Sequence, residues 1–139
     1  MAQASRLGMA LTVRRRFTIA QVNAGATIAA AVPGMKHRLV DAHMISVGGA
    51  AAAVTTVDIL ATLSAASRKL VTFAQADLAE NTVRTLVANG TVLAAGASFT
   101  QNDANTAITI GKTGSDVTTA THIDLILVYA TEEFATDAA

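Results

Sequence analysis

Valine, isoleucine and threonine supply 40 of the 139 residues. β-Branched side chains are stiff at χ1 and sit better on a pleated strand than on a helix. Alanine, with 31 residues, pulls the other way, since it is the best intrinsic helix former. Periodicity decides between them. From Thr12 the chain alternates, with Val13, Arg15, Phe17 and Ile19 on one side and Thr12, Arg14, Arg16 and Thr18 on the other. That is the period of a strand. Residues 27–32 form a further extended run, 36–47 a long one, and 70–73 a short one. The stretch 50–67 is ambiguous; its Val-Thr-Thr-Val-Asp-Ile centre favours a strand over a helix, and an α+β fold with this segment helical is the alternative. Residues 77–80 have capping-box spacing, and Thr82, Val83 and Thr85 beyond them allow at most one helical turn.

Turn chemistry punctuates these runs at Asn23-Ala24-Gly25, Val32-Pro33-Gly34, Gly48-Gly49, Asn89-Gly90, Gly96, Gln101-Asn102-Asp103 and Gly111–Ser115. The run Leu125-Ile126-Leu127-Val128 is apolar at both parities, which predicts a central strand buried on both faces. Many short strands at such spacing predict an all-β chain, a sandwich or barrel of antiparallel sheets. At 139 residues there is one domain. It is expected over residues 12–130, with an N-terminal arm at 1–11 and an acidic C-terminal tail at 131–139.

Composition narrows function by exclusion. A hydrophobic content of 52% and a mean hydropathy of +0.45 rule out disorder. Charged residues are 14%, against about 25% in an average domain, so a covered surface is expected. Without cysteine there is no disulfide scaffold and no thiolate metal site. Without tryptophan, and with one tyrosine and four phenylalanines, little remains for stacking single-stranded nucleic acid. The uncharged stretch 17–35 is broken by Gln21, Asn23, Gly25, Pro33 and Gly34, so it fails as a membrane span of about 20 apolar residues. The same interruptions argue against reading Arg14-Arg15-Arg16 as an export signal.

Chemical motifs are sparse. Gly111-Lys112-Thr113 imitates the end of a phosphate-binding loop, yet Thr106 stands where that loop needs its first glycine; a hairpin turn is expected instead. His37, Asp41 and His43 share one strand parity and could ligate a metal, but further ligands are lacking apart from His122, so a solvated strand face is expected. No serine lies in a nucleophile elbow. The expectation is a non-enzymatic protein with no cofactor, metal, nucleic-acid, membrane or small-molecule partner.

Net charge is zero but segregated: residues 1–69 carry eight basic and two acidic groups, and residues 70–139 two basic and eight acidic ones. Either folding interleaves the halves or the basic arm meets an acidic neighbour. On the second reading Arg6, Arg14, Arg15 and Arg16 supply charge. Leu7, Met9 and Leu11 supply most of the contact, because exposed ion pairs contribute only about 0–1 kcal/mol each. On an alternating strand the three consecutive arginines point to opposite faces and do not form one patch.

Three segments, Gly96–Thr100, Ala107–Ser115 and His122–Ala130, together with a basic strand followed by Ala30-Ala31-Val32-Pro33-Gly34 and another strand, carry a resemblance. The chain resembles the capsid decoration (cement) proteins of tailed bacteriophages, in particular those of short-tailed Bordetella phages. The resemblance implies a jelly-roll-like sandwich on the outer capsid surface of the virion, made in the host bacterial cytoplasm. Its implied partners are the major capsid protein and itself, as a dimer or trimer. It brings no catalytic residues. A tail or head-fibre component, a small-ligand- or sugar-binding β-sandwich, and a cupin-like enzyme that depends on His37, Asp41 and His43 are the alternatives.

Overall fold

A computed structural model describes residues 10–80, 84–85, 90–92 and 100–133. Among the described residues, nine strands and one short helix follow one another. They are β1 (Ala10–Thr18), α1 (Ile19–Ala24), β2 (Ala26–Ala29), β3 (Met35–Val47), β4 (Ala51–Leu63), β5 (Ala66–Ala74), β6 (Arg84–Thr85), β7 (Gly90–Val92), β8 (Ile108–Thr119) and β9 (His122–Glu133). A single 3₁₀ turn, Gln75–Asp77, follows β5. The strands form two antiparallel sheets, β1-β9-β3-β6 and β2-β8-β4-β5-β7. Successive strands change sheet at β1–β2, β2–β3, β3–β4, β5–β6, β6–β7 and β8–β9, which is jelly-roll connectivity. The expected all-β sandwich is the fold, and 50–67 is a strand and its hairpin, not a helix.

The core lies between the sheets. Phe17, Leu39, Met44, Ile123, Leu125 and Leu127 come from one side, and Ile28, Val57, Ile59, Phe73, Ile108 and Ile110 from the other. All are nearly or fully buried, each contributing about 1.5–3 kcal/mol by removal from water.

Several local expectations are corrected. The chain does not simply turn at 23–25: a helix starts at Ile19, capped by a box in which Thr18 accepts from the Gln21 amide and Gln21 accepts from the Thr18 amide. Its Val22 plugs the core, while the Asn23 side chain both accepts from and donates to the Val117 backbone. The predicted hairpin at 111–115 lies inside β8. Pairing of β4 with β8 slips between Ala52 and Val54 and again between Val54 and Thr56. The glycine signal there marks a bulge: Gly114 has φ +88°, and Thr55 fills the space its Cβ would need. The strand expected at 70–73 runs over Ala66–Ala74. Strand β1 takes in Ala10 and Leu11 from the expected arm, and β9 takes in Thr131 to Glu133 from the expected tail.

One loop stitches the two sheets together. Asn102 is buried; its amide donates to the His37 carbonyl (2.9 Å) and its Oδ1 accepts from the His37 amide (2.7 Å). Next to it, Asp103 reaches the β4–β5 hairpin. Its carboxylate accepts from the amides of Ser64 (3.0 Å) and Ala65 (2.7 Å). Both residues have positive φ, 53° and 61°, as a type I′ turn requires. Neither is glycine or asparagine, so the left-handed conformation costs roughly 1–2 kcal/mol per residue. Asp103 offsets that cost by holding both amides. Asn105 finishes the stitch by accepting from the Gly34 amide and donating its own to the Met35 carbonyl.

Two stability changes follow. Asp103→Ala should lower unfolding free energy by roughly 1–3 kcal/mol in urea titration, the net worth of charge-assisted hydrogen bonds that water replaces only in part in an exposed, strained turn. Replacing Ser64 by Asn and Ala65 by Gly should raise it by about 1 kcal/mol and blunt the Asp103→Ala loss.

Candidate functional site

The sheet β1-β9-β3 turns one face to the core and the other outward, and the outward face carries the Arg16–Asp124, Arg38–Glu132 and Asp41–His43 pairs. The register of β9 sets its rows. Arg14, Ile126 and His43 lie opposite one another, as do Arg16, Asp124 and Ile45, and then Thr12, Val128 and Asp41. Between the first two rows lies a hollow of about 410 Å³, lined by Arg14, Arg16, His43, Ile45, Asp124 and Ile126 among others.

Two polar pairs edge it. Arg16 donates from Nε and Nη2 to the two carboxylate oxygens of Asp124, at 2.6 and 2.8 Å, a bidentate fork. The hydrogen bonds from Arg16 hold the Asp124 carboxyl below the usual carboxylate value, against a smaller opposing effect of burial. The same pairing raises Arg16. On β3, His43 Nε2 lies 2.8 Å from Asp41 Oδ2. Arg14 has no ion-pair partner among the described residues, although its field reaches Asp124. The hollow thus offers an unpaired guanidinium beside an aliphatic floor of Ile45 and Ile126, a surface suited to a partner that is part acidic and part apolar.

The predicted binding residues divide. Arg6, Leu7 and Met9 lie outside the described residues. Leu11 is half-exposed near the start of β1. Arg14 and Arg16 face outward, as alternation requires, while Arg15 points to the core side. There its guanidinium lies 5.3 Å from the Phe17 ring and donates to the Ile28 carbonyl on β2 (3.4 Å). Asp124 and His43 were not among the expected binding residues. An isolated acid in the apolar β9 run was the available sign of the first.

The His37–Asp41–His43 group is not assembled. The ladder between β3 and β9 slips between Leu39 and Asp41, and that bulge reverses parity. Asp41 and His43 face outward, whereas His37 is buried at 2% exposure, so the expected solvated face is corrected for His37. His37 Nε2 donates to the Ala30 carbonyl (2.9 Å), Nδ1 meets the Thr131 hydroxyl (2.9 Å), and the ring packs edge-on to Tyr129. The expectation for β9 is also refined: it is central, but Ile126 and Val128 are only partly buried on the outer face.

On the other sheet, Asp58 is buried (1% exposed) and fully partnered. It accepts from Thr56 and Thr113, both at 2.7 Å, with Lys69 Nζ at 3.6 Å. Lys69 also donates to Thr113 (2.5 Å), so the group closes on itself and reads as structural.

Because Asp124 has a depressed folded value, its stabilising contribution is complete above the ordinary 3.8 and is lost as pH falls through the lower folded value. Carboxyl NMR titration should find Asp124 below 3.8, and Arg16→Gln should return it toward that value and flatten the acid limb of stability. No protein-family model matches the chain, and none of the curated proteins matches its sequence.

Proposed function

We propose that the chain is a structural virion protein that binds the outside of a phage capsid as a homo-oligomer and holds neighbouring major capsid subunits together. The observation that carries the reading is the surface of the sandwich. It is poor in charge, it exposes Leu11, Val32 and Val40 by 40% or more, and its outer sheet face sets Ile45, Ile126 and Val128 among a few fixed charges. Such a face favours a protein that is covered when it works. The resemblance to capsid decoration proteins points the same way, as does a jelly roll whose hydrogen-bonded side chains are absorbed in holding strands together. The role is one of binding rather than catalysis, at the virion surface.

Added to undecorated capsids of its own phage, the purified protein should bind to a fixed stoichiometry and raise their disruption temperature in differential scanning fluorimetry. Removal of residues 1–9 should weaken attachment while leaving the far-UV circular dichroism of the sandwich intact. A protein that leaves capsids bare, or that retains a glycan on an array instead, would overturn the reading.

A further inference from the structure

The edges of the two sheets are unequal. Strand β2, at one edge of the second sheet, is four residues long, short enough to offer little to a foreign strand. Strand β1 is also an edge, and it runs nine residues in unbroken register with β9, from Ala10 opposite Ala130 to Thr18 opposite His122. No described strand pairs with its far side. Half of its amides and carbonyls point away from β9, as a ready ladder for an extended segment.

Side chains restrict what that segment is. A second β1 is a poor occupant. Pairing two copies antiparallel about the strand centre sets Arg14 against Arg14, or Arg14 against Arg16 and Arg15 against Arg15, and like charges directly opposite are destabilising. The inner ladder shows which charge suits the outer one. Across it, Asp124 on β9 meets Arg16 with a bidentate fork, while Arg14, two residues away on the same face, is left without such a carboxylate. On the opposite face of β1, Leu11 is 49% exposed and Val13 is half-buried, whereas Arg15 is already engaged with Phe17 and the Ile28 carbonyl.

We propose that β1 is a strand-addition site for an extended acidic segment of another protein, one that alternates carboxylate and aliphatic side chains. Its backbone extends the sheet beyond β1. Its carboxylates lie on the outer face beside Arg14, and its aliphatic groups lie on the inner side beside Leu11 and Val13. Backbone pairing supplies affinity, and the alternation supplies orientation and register. The inference goes beyond the capsid reading and stands without it, since it specifies the chemistry of the partner strand and not where the partner resides.

The test uses the full chain and a blocked peptide, Thr-Glu-Val-Glu-Val-Glu-Thr, followed by amide NMR. Shifts should concentrate on β1, and affinity should fall as salt rises from 50 to 500 mM. Arg14→Glu should weaken the peptide at least tenfold, and replacing its glutamates by lysines should restore binding to that variant only. N-methylation of alternate peptide amides on the pairing edge should abolish binding to both. Three results would overturn the proposal: no β1 shifts at millimolar peptide, equal affinity for Arg14→Glu, or a β1-paired dimer of the free protein. Capsid attachment that persists without peptide binding would remove the strand-addition site alone. Peptide binding without capsid attachment would remove the capsid reading alone.

Discussion

The register of β9 is the constraint on which the outward face depends. This strand is flanked by β1 and β3, and it pairs with β3 from His122 to Glu133 and with β1 from His122 to Ala130. Its alternation buries Ile123, Leu125 and Leu127 and turns Asp124, Ile126 and Val128 outward. A slip of one residue would move Asp124 into the core and every buried aliphatic to solvent, which strongly disfavours alternative pairings. The same choice that builds the core therefore places Asp124 opposite Arg16 and Ile126 between Arg14 and His43. Core and surface are two readings of one register.

Register within a sheet does not fix how two sheets close on each other, and here polar groups of the 100–107 loop contribute. Asn102 exchanges two hydrogen bonds with the backbone of His37 on one sheet, and Asp103 caps the β4–β5 turn of the other. His37 itself continues the connection to Ala30 and Thr131. A buried polar chain of this kind is worth its desolvation only when every member is satisfied. Among the described residues no buried side-chain polar atom is left without a partner. The strained, glycine-free turn at Ser64-Ala65 makes sense in this setting, because a carboxylate from outside the hairpin supplies what the turn residues themselves do not.

What could be read in the sequence divides along the same physical lines. Strand class, the alternation of β1 and the turn at Pro33-Gly34 follow from local rules and were legible. The helix at Ile19–Ala24 was missed: strand alternation reads straight through Ile19, although Thr18-Ile19-Ala20-Gln21 carries the spacing of a capping box. The bulges were not. A glycine pair near Gly114 looks the same whether the chain reverses or merely kinks, and only pairing of β8 with two neighbours shows that it kinks. Nothing around Val40 announces the slip that separates His37 from Asp41 and His43. Parity counted along a strand is valid only as far as the first bulge. Of the surface residues, Arg14, Arg15 and Arg16 were visible as a basic run. Their different roles depend on the opposing residues of β9, which are more than a hundred positions away.

The segregation of charge along the chain has its explanation in the topology. A jelly roll lays its last strand between its first and third, so the acidic C-terminal half is threaded through the basic N-terminal half. Asp124 thereby answers Arg16, and Glu132 answers Arg38 at 2.9 Å while also accepting from Gln101. Cancellation across β9 is local and stoichiometric, pair by pair, and each pair is oriented by the ladder that brings it together. It requires an acid on β9 opposite a basic residue or one step diagonal to it, as Glu132 is to Arg38. At the row of Arg14 the facing residue is Ile126, and the diagonal acid, Asp124, is already forked to Arg16, so the cancellation stops there. Arg14 lies on the nine-residue edge strand of the sheet, whose far side no described strand pairs, beside the exposed Leu11, and the acidic segment proposed above would complete there the pattern that β9 leaves unfinished.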